Sequence, residues 1–72
     1  MELFNTSELL DFVFSKKNPQ RKFQTRTHIK IWKVWKFRFE AGRLSESKQE
    51  EILSILGYKC KKEREEAIWQ LP

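Results

Sequence analysis

The sequence predicts a small α+β domain of 72 residues, with three helices followed by a C-terminal β-hairpin. Three observations carry this reading. Polar capping residues, Asn5 and Ser45, stand ahead of two runs that read as helical. Both glycines of the chain, Gly42 and Gly57, fall just past such runs, where a left-handed residue ends a helix. After Gly57 the apolar period changes, and Tyr58 with Cys60, then Ala67 with Trp69 and Leu71, recur at a spacing of two.

The first helix begins after Asn5. Asn5 and Glu8 stand at capping-box spacing, and Phe4 and Leu9 occupy the positions of a hydrophobic staple. Leu9, Leu10, Val13 and Phe14 then share one face at i, i+1, i+4 and i+5. Pro19 disfavours helix at Asn18, so the element spans about 6–16. Residues 17–24 are polar and basic and read as a loop, with Phe23 anchoring it to the core.

The central element covers about 27–41 and admits two readings. As a helix it gathers His28, Ile31, Trp32, Trp35 and Phe39 on one stripe, borders them with Lys36 and Arg38, and sets Lys30 and Lys33 opposite. As a strand over 28–39 it aligns Ile29, Ile31, Trp35, Phe37 and Phe39 on one face, interrupted by Lys33. The glycine stop and the length without a turn favour the helix. The third helix, about 46–56, opens after Ser45 with Glu46, Glu50 and Glu51 early, where the helix dipole favours negative charge. It ends at Gly57, with Tyr58 placed to pack on Leu53. The hairpin pairs 58–61 with 67–71, and a short helix over 62–70 is its rival.

Charge is segregated along the chain. Residues 12–39 contain nine Lys/Arg and no acid, whereas residues 1–11 sum to −3 and residues 40–72 to −1, for a net +5. The basic stretch is also rich in aromatics: Phe12, Phe14, Phe23, Trp32, Trp35, Phe37 and Phe39. A clustered positive field speaks to association with a polyanion rather than to fold. A chain this short buries only about 60–65% of its unfolded surface, so most large apolar residues are needed for the core. Trp32, Trp35 and Phe39 are therefore assigned to the core and Lys30, Lys33 and Lys36 to a solvated face.

Three helices and a terminal hairpin resemble the parts list of a winged-helix domain. That resemblance implies a third helix in the major groove and a hairpin on the backbone. The charges point elsewhere: the helix over 46–56 carries Glu46, Glu50 and Glu51 against Lys48, and the hairpin turn Lys61–Glu66 is net neutral. Nucleic-acid contact is accordingly expected from Lys16, Lys17, Arg21, Lys22, Arg26, Lys30 and Lys33, with the loop cations Arg21, Lys22 and Arg26 best placed to reach phosphate.

Catalysis is not expected. His28 has no Ser, Cys or carboxylate close in sequence to act with it, and Cys60 reads as a small buried or half-buried apolar residue. One Cys and one His fall short of the four ligands of a structural zinc site, and no cofactor signature is present. Met1 is not followed by a cationic segment and a long apolar run, and no stretch approaches the length of a membrane span, so a cytoplasmic protein is expected.

The reading is thus a non-enzymatic binding or regulatory protein that contacts nucleic acid. The alternative is a protein-interaction module (adaptor, inhibitor or homodimer) using exposed Trp and Phe, with Trp69 and Leu71 as interface residues. Peripheral membrane binding through 28–39 ranks third, because the same tryptophans are needed for the core.

Overall fold

The computed structural model describes residues 3–63 and 66–70. It is an α+β domain with four helices and one three-stranded antiparallel sheet. In chain order the elements are β1 (Leu3–Asn5), α1 (Thr6–Phe14), α2 (Arg21–Thr27), α3 (Trp32–Glu40), α4 (Glu46–Ile55), β2 (Lys59–Glu63) and β3 (Glu66–Gln70). The predicted hairpin is β2–β3, with Cys60 opposite Trp69 and Lys61 opposite Ile68. No helix occupies the described part of 62–70. The short strand β1 completes the sheet by pairing with β3, Phe4 opposite Trp69, so that β3 is central.

Local chemistry sets the ends of the helices. The Asn5 side chain accepts the Glu8 amide at 2.8 Å, and Glu8 Oε1 accepts the Asn5 amide at 3.2 Å, which closes the capping box. Ser45 Oγ accepts the Lys48 amide at the start of α4. Gly42 and Gly57 have φ of 69° and 95°. At each, paired bonds of a Schellman ending form: Gly42 N–H to Phe39 O with Arg43 N–H to Arg38 O, and Gly57 N–H to Ser54 O with Tyr58 N–H to Leu53 O.

The core joins α1 (Leu9, Leu10, Val13, Phe14), α3 (Trp32, Trp35), α4 (Ile52, Leu53), Tyr58 and Trp69. Phe14 meets Trp32 edge-on at 5.0 Å between ring centroids and Phe39 at 5.8 Å. Trp69 is fully buried, and its indole Nε1 donates to the buried Thr6 hydroxyl at 2.9 Å, which ties the central strand to the first turn of α1.

Several expectations are corrected. The strand reading of 28–39 fails because Trp32 and Trp35 are both buried, a spacing of three that a helix puts on one side and a strand on opposite sides. The helix there is shorter than 27–41, because His28–Ile31 form a turn. The basic segment read as a loop contains a fourth helix, α2. Phe23 does not anchor it: the ring is 67% exposed, and Gln24 turns inward instead. Cys60 is exposed rather than buried. The winged-helix parts list is not confirmed, since the molecule has a fourth helix and a third strand.

Candidate nucleic-acid interface

The outward face of α3 follows from its inward one. Trp32, Trp35 and Phe39 take the inner side, with His28 resting on Trp35 at 5.7 Å from the preceding turn. A period of 3.6 residues then sends Lys33, Val34, Phe37 and Arg38, at i, i+1, i+4 and i+5, to the opposite side, and Lys30 is exposed in the turn just before the helix. All five are exposed, and Phe37 shows 66% of its surface to solvent. Glu40, i+7 from Lys33 and i+3 from Phe37, is the acid at the C-terminal edge of this face, and it lies 3.8 Å from Lys36 Nζ in an i,i+4 pair. Lys30, Lys33 and Arg38 make no ion pair among the described residues. The face is therefore a cationic strip with an aromatic ring set in it.

A buried polar chain holds α2. Asn18 Nδ2 donates to Val13 O and to Gln24 Oε1, each at 2.9 Å, and Asn18 Oδ1 accepts the Gln20 amide at 3.0 Å. Gln24 Nε2 then donates to the Tyr58 hydroxyl at 3.2 Å. Asn18, Gln24 and Tyr58 are all buried. These bonds join the end of α1, the Asn18–Pro19 turn, α2 and the start of the hairpin. With Gln24 inward, Lys22, Phe23 and Arg26 face solvent on the other side of α2.

The expected nucleic-acid residues thus divide. Lys22 and Arg26 lie on the outer face of α2, Lys33 on that of α3, and Lys30 in the turn between the two helices. Arg21 is half-buried, and its Nε is enclosed without a hydrogen-bond partner. Lys16 and Lys17 belong to a different surface, a groove shared with Phe4, Glu8, Asp11, Phe12 and Ser15. Two carboxylates there oppose the lysine charge. Sequence reasoning left out Phe37 and Arg38. The signal is the i+4 relation of Phe37 to Lys33 on the side away from Trp32, Trp35 and Phe39, and Arg38, expected to border the apolar stripe, is exposed beside Phe37.

The interface expected at the C-terminus is corrected for Trp69, whose burial leaves it no surface to offer, and Leu71 lies outside the described residues. Trp32 and Trp35 are buried as well, so the exposed aromatics among the described residues are Phe23 and Phe37. The outer side of α4 remains acidic, with Glu46 and Glu51 exposed and Lys48 bound to Glu51 at 3.3 Å. Among the described residues no group of three or more His, Cys, Asp or Glu could hold a metal ion, and no helix is long and apolar enough to cross a membrane. Compared with known proteins, the chain matches no family model, no curated protein and no solved structure.

Proposed function

We propose that this protein is a non-enzymatic nucleic-acid-binding or regulatory protein that uses the outer faces of α2 and α3. The observation that carries the reading is the set Lys30, Lys33 and Arg38, exposed and without an ion-pair partner among the described residues, with Glu40 at the C-terminal edge of the strip paired to Lys36. Lys22 and Arg26 extend the set of exposed cations onto the preceding helix. Such side chains release counterions when they neutralise phosphates, which supplies affinity without any base readout.

Fluorescence anisotropy with labelled random DNA, single-stranded and duplex, at two salt concentrations tests this. If Lys22, Arg26, Lys30, Lys33 and Arg38 all engage phosphate, log K falls with log salt at a slope of about −3.5 on single strands and about −4.5 on duplex. Lys30→Glu with Lys33→Glu lowers affinity and flattens the slope. No binding at low salt would remove the proposal.

A second reading, a protein-interaction module, draws on exposed apolar side chains. Ile29 and Ile55 are 69% and 49% exposed, in addition to Phe23 and Phe37. Sedimentation across a range of concentrations reads the homodimer form of this idea directly, and a monomer throughout eliminates that form.

A further inference from the structure

The strip on α3 differs from a simple basic patch in one respect. Its centre is an aromatic ring two-thirds exposed, which takes no part in the core cluster. Lys33 lies one turn before Phe37, and Arg38 adjoins it along the helix. Val34, also exposed, lies between the cations. An exposed ring between Lys33 and Arg38, with Glu40 one turn beyond it held by Lys36, is matched by a polyanion that also presents flat, apolar faces. In a closed duplex those faces are hidden in the stack. In a single strand they are open, and stacking on an aromatic side chain is indifferent to base identity.

We infer that the outer face of α3 binds single-stranded nucleic acid, with Phe37 stacked on an unpaired base and Lys33 and Arg38 on the neighbouring phosphates. The inference rests on the nucleic-acid reading above and narrows its partner to unpaired strands. Phe37 supplies most of the preference for single strands over duplex, while the cations supply the salt dependence common to both. Because Phe37 has no role in the core cluster, its replacement leaves the fold intact.

The test is anisotropy titration with a labelled single-stranded DNA, the matching RNA strand and the corresponding DNA duplex, using the full chain. Variants are Phe37→Ala, Phe37→Leu, Phe37→Trp and the pair Lys33→Ala with Arg38→Ala, each checked for folding by circular dichroism. Loss of one base stack weakens single-strand binding by about tenfold in Phe37→Ala, with the salt slope unchanged. Phe37→Leu keeps an apolar side chain but no π face and shows nearly the same loss, whereas Phe37→Trp retains binding. The Lys33/Arg38 pair flattens the salt slope on every ligand, by about 1.4 on single strands. The DNA and RNA arms show which backbone is preferred, and binding of either with this variant pattern supports the inference. Duplex bound as tightly as single strand, or Phe37→Ala within twofold of the parent protein, overturns it while leaving the broader nucleic-acid proposal standing. No binding to any of the three overturns both.

Discussion

Replacing Gln24 by Ala tests whether the buried polar chain holds α2 in place. Gln24 is only 3% exposed and bridges Asn18 on one side and Tyr58 on the other. Its removal takes the acceptor from one Asn18 N–H and the donor from the Tyr58 hydroxyl, and it opens a void in a buried site. Asn18 keeps its bond to Val13 O, so the larger polar loss falls at Tyr58. A hydrogen bond of this kind contributes about 1 kcal/mol, a buried group left unpaired costs about 1–3 kcal/mol, and the void adds to both. The expected destabilisation is about 2–4 kcal/mol. A 72-residue domain has a total of only about 4–11 kcal/mol, so the loss is a large fraction of the whole. Urea unfolding followed by fluorescence of the three buried tryptophans reads it as a midpoint lowered by about 2–4 M, given a slope near 1 kcal/mol/M for so small a chain. Tyr58→Phe removes the hydroxyl alone and costs about 1 kcal/mol in the parent protein. In the Gln24→Ala background that hydroxyl is already unpaired, so Tyr58→Phe there costs nothing or restores stability, a coupling of about 1 kcal/mol. Additive effects of the two substitutions, or a cost below about 0.5 kcal/mol for Gln24→Ala, would refute the claim that this chain of bonds secures the helix.

Two further outcomes follow from the geometry. Thr6→Val keeps shape but leaves the buried Trp69 Nε1 without its acceptor, and thermal denaturation should show a loss of about 1–3 kcal/mol. Gly57→Ala meets no atom within 4 Å, so its cost is purely that of a side chain at φ +95, about 1–2 kcal/mol, and Gly42→Ala at φ +69 costs less in the same chemical-denaturation assay.

Neighbouring side chains along the chain determined a good deal by themselves. The capping box at Asn5, the Ser45 cap and both glycine stops are decided within a few residues by hydrogen-bond chemistry and backbone sterics, and each is found where those signals place it; the hairpin is found too, with its strands at Lys59–Glu63 and Glu66–Gln70. The acid-free basic stretch is likewise a property of the linear chain. Three things were decided only in the folded molecule. β1 is three residues long, too short for any alternation to register, and it exists because β3 offers it a partner from the far end of the chain. Helix α2 has no apolar stripe: its inward residue is Gln24, whose burial depends on Asn18 and on Tyr58, 34 residues away, so nothing local distinguishes this polar sequence from a loop. The choice between the two readings of the central element is the third: the favoured helix leaves Phe37 off the stripe of Trp32 and Trp35, the strand puts Phe37 with Trp35, and the burial of both tryptophans decides for the helix. Local periodicity sets which residues share a side. Which side meets the core is set by what the rest of the chain brings to it.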